Sequence, residues 1–359
     1  ARHCVALCSL FTALTLSAQT IKTLSPLTSF GGNGDGSIRP GDQIWMDTAS
    51  NQRGLAADPV TGNLILVDTH SGGAGNANVQ GSIFVLDGTT GTNIWDINNS
   101  SLVLNTNGIS GGAYADAPAA VADDGVVYVA NQVTSSSSTA LKVYRWDGVN
   151  DTNPPVVAFN ATVTPSQRYG VSMDITGSGV NTRIIFGASS QSGGSGTNVL
   201  ILTTADGTNF TGTVLGTDVT SPNFIEGVAF GAAANTFWAK TLNAPLRLMS
   251  YNLGTASAVT LKSWSSSQLV GGGSLGPISV DPANNLLAAM EETAGSVGGG
   301  PDHIWLYDIS DTNRGPVLLD IKDYPAIGPP HPNNATAPPA YLDFRGSRLY
   351  THILNNGMV

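Results

Sequence analysis

Cysteine is almost missing. Two are present in 359 residues, and both, Cys4 and Cys8, fall within the first eight. The rest of the chain offers no disulfide framework, no thiol nucleophile and no thiolate metal site. Charge is also scarce, at 11% of residues, and it leans acidic: 25 Asp and Glu stand against 15 Lys and Arg, a formal net charge of −10. Nucleic-acid phosphates require a basic surface, so nucleic acid is not expected as a partner, and an anionic membrane surface is disfavoured. Beyond the N-terminal stretch no apolar run is long enough to cross a bilayer, and no segment sustains a helical period. HExxH, a serine nucleophile elbow and a P-loop are all missing. Gly271-Gly272-Gly273 and Gly298-Gly299-Gly300 lack the strand-to-helix setting of a phosphate cradle.

What is present is glycine, 43 residues of it, with a hydrophobic fraction of 41%. Low charge, many turns and short apolar runs point to an all-β protein with a sizeable core. Residues 1–18 stand apart. Arg2 and His3 precede an apolar stretch from Cys4 to Leu16, followed by Ser17-Ala18-Gln19. That is the pattern of a secretory signal peptide, with cleavage expected after Ala18, and it implies a secreted, periplasmic or cell-surface protein. Residues 19–359 are then one domain.

The recurring unit is clearest in Arg53 to Val67. Leu55 and Ala57 can face one side of a sheet. Asp58-Pro59-Val60-Thr61-Gly62 carries turn chemistry, and Leu64 to Val67 is an apolar β-former run. Variants return around Asp123-Asp124-Gly125, after Ile175, after Phe230, at Asp281-Pro282 and at Arg345-Gly346-Ser347. The interval is roughly 50–65 residues, near the period of propeller blades. Each unit reads as a four-stranded meander, and the sixth stops after its second strand. The expected fold is therefore a six-bladed β-propeller, with a seventh blade if residues 19–50 hold more strand. A strand in Ile21–Phe30 is expected to complete the last blade and close the ring by pairing of N- and C-terminal strands.

Several stretches have familiar wording: Asn51 to Ala56, Gly108-Ile109-Ser110-Gly111-Gly112, Val121 to Asn131, Val143-Tyr144-Arg145-Trp146 and Arg168-Tyr169-Gly170. They resemble an uncharacterised family of exported bacterial β-propellers, a domain of unknown function. The resemblance implies the fold and export. It supplies no catalytic residues.

Propellers usually place ligands at one mouth of the channel. The start of each first strand and the end of each second strand share that face. This selects Arg53, Tyr114, Arg168 and Glu226 at the starts, and Asp68, His70, Asn131, Lys240, Glu291 and His352 at the ends. In a chain so poor in charge, their clustering at these positions points to a polar pocket, with Arg53, Arg168 and Lys240 facing Glu226 and Glu291. The opposing reading is that they tie neighbouring blades together. Calcium is the one cofactor the pattern admits, through Glu226, Asn131 and Asp68, or in the loop Gly31 to Ser37. Tryptophans 95, 146, 238, 264 and 305 are expected to pack between blades rather than form a sugar platform.

The leading functional expectation is a secreted, monomeric, non-catalytic propeller that binds a protein, glycan or small molecule. The rivals are a calcium-dependent hydrolase or lactonase-like enzyme with its site at the channel mouth, and a glycan-binding module.

Overall fold

The computed structural model describes residues 22–46, 51–69, 82–94, 104, 108–190, 198–219, 223–241, 243–271, 275–291, 303–324, 340–354 and 356–359. The signal-peptide expectation for residues 1–18 lies outside them, as do His70 and Trp95. The described residues are built from small antiparallel sheets, and none of their helices is long and apolar enough to cross a membrane.

The first sheet is β1 (Gln52–Ala57), β2 (Leu64–Asp68) and β3 (Ile83–Leu86). The second is β4 (Ala119–Val121), β5 (Val127–Ala130), β6 (Leu141–Trp146) and β7 (Val156–Ala161). A two-strand ladder joins β8 (Gln167–Arg168), β9 (Met173–Thr176) and β10 (Arg183–Phe186) follow, and β11 (Ser189–Ser190) returns to pair with β8. β12 (Asn198–Thr204) and β13 (Phe210–Thr217) complete that unit. The fourth unit is β14 (Gly227–Phe230), β15 (Thr236–Lys240), β16 (Leu246–Asn252) and β17 (Ser257–Trp264), and a short parallel pairing of β13 with β17 joins it to the third. The fifth is β18 (Leu275–Asp281), β19 (Leu286–Glu291), β20 (His303–Asp308) and β21 (Val317–Asp323). The last is β22 (Ala340–Arg345), β23 (Arg348–Ile353) and β24 (Gly357–Met358).

The apolar runs are continuous rather than alternating because both faces of each sheet are covered. In β2, Leu64 and Leu66 pack in a cluster with Tyr350 and Met358 of the last sheet. Ile65 and Val67, pointing the other way, pack with Val127, Val129 and Trp146 of the second. β12 repeats the device: Leu200 and Leu202 face the second sheet, Val199 and Ile201 the fourth. Further clusters lie between the fourth and fifth units and between the fifth and last. The first strands follow the same cycle. β1 touches β4, β4 touches β9, β9 touches β14, β14 touches β18, β18 touches β22, and β22 touches β1.

Glycine permits this close approach at Gly54, where a Cβ would fall 2.1 Å from the Ala117 carbonyl oxygen of the next unit. The turn after β1 is fixed as its sequence suggests. Asp58 Oδ1 accepts from Val60 N at 2.9 Å, Thr61 Oγ1 donates to Asp58 Oδ2, and Gly62 takes φ +77°.

The expected strand at Ile21–Phe30 does not form: residues 22–30 carry no strand. The backbone nitrogen of Leu24 instead donates to Asp320 Oδ2 at 2.8 Å, and Pro26 has no N–H to offer a ladder. The pairing comes from further along. Ile38 N donates to Met358 O, and Met358 N to Ile38 O, both at 2.9 Å, beside β24. The Gly31–Ser37 loop is a glycine-rich turn. Asp35 accepts from Ser37 N and Oγ and pairs with Arg39 at 2.5 Å, so its carboxylate is already engaged.

Candidate functional site

The opening hairpins position the candidate residues. Gln52 pairs with Asp68, Gly227 with Lys240, Leu275 with Glu291 and Tyr341 with His352, each at the end of the hairpin away from its turn. Tyr114 bridges Gln132, next to Asn131, and Arg168 pairs with Ser189. Successive first strands abut, so these open ends lie along one rim.

Four side chains from four different units converge there. The Arg53 guanidinium, only 8% exposed, lies 4.2 Å from the centroid of the Tyr114 ring. Burial and the neighbouring Arg53 charge push the Arg168 pKa down, partly offset by Tyr114 and Tyr341. Tyr341 feels both arginines, while burial pushes its phenol pKa up and keeps it neutral. Behind it His352 is fully buried and stacks on Tyr341, with ring centroids 6.3 Å apart and planes at 20°. Neither ring nitrogen of His352 has a hydrogen-bond partner among the described residues. Burial holds its pKa down at about 3, so the imidazole is uncharged at neutral pH.

Other candidates reach the same rim but serve the architecture. Lys240 Nζ donates to Thr241 O at 2.6 Å and to Leu275 O, the first residue of β18, at 2.5 Å, tying the fourth unit to the fifth. Asn131 donates to Ala140 O at 3.1 Å and accepts from Lys142 N at 2.8 Å within its own sheet. Glu291 is engaged by His303 Nδ1, whose Nε2 lies 3.3 Å from Asp323. Asp68 and Glu226 are buried at the rim, at 0% and 8% exposure. Of the oxygen donors expected for a calcium site at the rim, Asn131 is thus engaged within its own sheet. No group of three His, Cys, Asp or Glu side chains suited to a metal occurs among the described residues.

A second polar set escaped the sequence reading. At the other end of the first strands, Asp343 Oδ2 accepts from Ala57 N at 2.7 Å, and Arg345 donates to Ala57 O and Val121 O at 2.5 and 2.9 Å. Asp174 Oδ2 accepts from Phe230 N at 2.6 Å, and Ser279 Oγ from Phe344 N at 3.3 Å. Each bond joins two first strands, neighbouring ones except for that from Arg345 to Val121 O, which links β22 to β4. Burial pushes Asp174 up to about 6 against its backbone hydrogen bonds. The available signal was an Asp inside an apolar strand, as in Met173-Asp174-Ile175 and Leu342-Asp343-Phe344.

The four described tryptophans of the set expected to pack between blades, 146, 238, 264 and 305, pack in clusters between units. Trp146 is buried between the first two sheets, and Trp238 stacks on Trp264 at 5.6 Å. A cleft of about 390 Å³ lies where Leu24, Leu27 and Phe30 meet Ile304, Leu349 and Tyr350; Asp35 of the Gly31–Ser37 loop lines it, and none of the rim candidates does.

The chain is an all-β protein of small antiparallel sheets, propeller-like in its arrangement. No protein-family model matches it, and no curated protein matches it either. Among solved structures it is similar to a protein from Lactobacillus plantarum, with 12% identity over 76% of this chain and 71% of that one, at a TM-score of 0.44. It is also similar to U3-55K, with 11% identity over 84% and 88% of the two chains, at a TM-score of 0.46. Both scores lie below 0.5, and the architecture rests on the chain's own strand pairing and packing.

Proposed function

We propose that the chain is a six-bladed β-propeller acting as an exported, non-catalytic binding module, with its ligand site at the rim where Arg53, Tyr114, Arg168 and Tyr341 meet. The blade count is supported by the cycle of first-strand contacts, which returns from β22 to β1 after six units. Closure by N- and C-terminal segments is supported by the Ile38–Met358 bridge. Export rests on the N-terminal Arg-apolar-Ser-Ala pattern and on the resemblance to exported bacterial propellers.

The observation that carries the functional reading is the convergence of charged and aromatic side chains from separate units on one rim. The arrangement supplies hydrogen-bond donors, ring faces and a neutral imidazole, the elements of recognition. Asn131 and Glu291, oxygen-bearing side chains at this rim, are engaged within their own sheets.

A thermal-shift panel of small molecules, glycans and calcium, run on wild type and Arg53→Gln, tests this. A stabilising ligand is expected whose shift disappears in the variant, with no turnover of ester or lactone substrates. Calcium-dependent hydrolysis, or a ligand indifferent to Arg53→Gln, would overturn it.

A further inference from the structure

We propose that the cleft beside β23 is the seat of one extended, apolar segment of a partner protein, which adds to the last sheet as a strand. None of the rim candidates lines the cleft, so this inference stands or falls separately from the ligand reading of the rim.

The observation that carries it is an unfinished sheet edge. β23 runs for six residues, and its neighbour β24 for only two. Thr351 and Val359 exchange both backbone hydrogen bonds, at 2.8 and 2.9 Å, so the N–H and C=O of Thr351 point to the β24 side. Groups two residues apart on a strand point the same way, so those of Leu349 do too. Neither has a backbone partner on that side among the described residues. The cleft of about 390 Å³ lies at this place, lined by Ser347, Arg348, Leu349 and Tyr350 in succession, with Val359 beside them. Successive side chains alternate between faces, so a wall of consecutive residues is a strand edge and not a sheet face.

A backbone donor and acceptor in a half-enclosed apolar place are costly until another backbone meets them. The walls select which one. Leu24 and Leu27 bound the cleft on one side and Ile304 of β20 on another, so a single extended chain can enter and the broad edge of a second copy cannot. An added strand sets its side chains alternately against Leu24, Ile304 and Leu349, which pack together, and against Leu27, Phe30 and Tyr350, which form part of another cluster. Both sets are apolar, so successive residues of the partner segment are apolar, and β-branched ones suit the extended form. The edge is also held in place. Arg348 Nη1 donates to Gly88 O and Thr89 Oγ1, both at 3.0 Å, and Tyr350 Oη donates to Gly88 O at 2.7 Å. Little ordering cost is left on this side. Backbone pairing then supplies affinity, and the alternating apolar walls supply selectivity.

The test uses the capped peptide Thr-Val-Ile-Val-Thr and the same peptide with its three central backbone nitrogens methylated, each titrated by calorimetry. Saturable binding of the first is expected, weakened about tenfold or more by methylation and by Leu349→Pro, which removes an N–H that faces away from β22. Leu24→Glu, which puts a charge into the cleft without touching the strand, is expected to weaken it as well, and Val259→Ser on β17 to leave it unchanged. Thermal melts establish that each variant is folded. Hydrogen exchange should show the Leu349 amide exchanging freely alone and protected in the complex. No peptide binding overturns the proposal. So does binding indifferent to methylation, the mark of a pocket for small apolar molecules. A dimer that Leu349→Pro dissolves would assign the edge to a second copy, and binding seen only once residues 1–18 are removed would assign it to the chain's own N-terminal segment; either result overturns it.

Discussion

The Arg53 guanidinium covers the ring of Tyr114 across the boundary between the first and second units, 4.2 Å from its centroid. A cation over an aromatic face is worth about 0.5–2 kcal/mol, more as water is removed. Tyr114→Leu is expected to cost about 1 kcal/mol of stability beyond the loss of buried area. The excess should vanish in a double-mutant cycle with Arg53→Gln, read by denaturant unfolding.

Lys240 is expected to matter for stability and not for ligand. Its ammonium is buried and bonded to carbonyls of Thr241 and Leu275. Lys240→Met leaves those carbonyls short of a donor, at about 1–3 kcal/mol each. Denaturation should show the loss, while any affinity measured at the rim should stay within twofold of wild type.

Two buried groups should tilt stability in opposite directions with pH. Asp174 sits at about 6 in the folded protein, above its ordinary value near 3.8. The folded state then holds the proton longer, so stability is greatest below pH 4 and falls as pH rises towards 6. Asp174→Asn should remove that slope and gain on the order of 1–3 kcal/mol at pH 8, after allowance for partial exposure.

His352 works the other way. Its folded value of about 3 lies below the ordinary 6.5, so the unfolded chain takes up a proton first. Stability attributable to it is present above pH 6.5, and between 6.5 and 3 the folding equilibrium constant falls by up to about tenfold per pH unit on the way down. His352→Phe keeps the stack on Tyr341 and should flatten that acid limb in thermal melts across pH.

Gly54→Ala should be severe for a backbone reason. The new Cβ would meet the Ala117 carbonyl oxygen at 2.1 Å, so two units must separate. Overpacking of this kind costs about 1–3 kcal/mol. Leu66→Ala, a cavity between the first and last sheets, should cost about 2–5 kcal/mol by calorimetry or denaturant.

The blade grammar was legible because its signals are local. Asp58 to Gly62 announced a turn, and Leu64 to Val67 a strand buried on both faces; both took the expected form. The rim positions followed from that grammar. Which rim residues face the opening and which are bonded into the architecture did not, because Lys240 and Glu291 end equivalent second strands and are engaged by groups that no local pattern reveals. Leu275 presents a carbonyl to Lys240, and His303 presents a ring nitrogen to Glu291. The segment completing the last sheet was also misplaced, at Ile21–Phe30 rather than Ile38. An isolated two-way bond between Ile38 and Met358 has no periodic signature. Tyr341 read only as a strand residue, since its role depends on Arg53 and Arg168 arriving from elsewhere in the chain.

The central claim is that rim residues far apart in sequence form one mouth. A protein with Cys4 and Cys8 replaced and Arg53→Cys and Arg168→Cys introduced, treated with a short bifunctional thiol reagent, tests it directly. An intramolecular cross-link between positions 53 and 168, formed by the folded protein and lost on unfolding, is the predicted result. Single-ended labelling of both cysteines, without a cross-link in a protein that melts as wild type does, would contradict it.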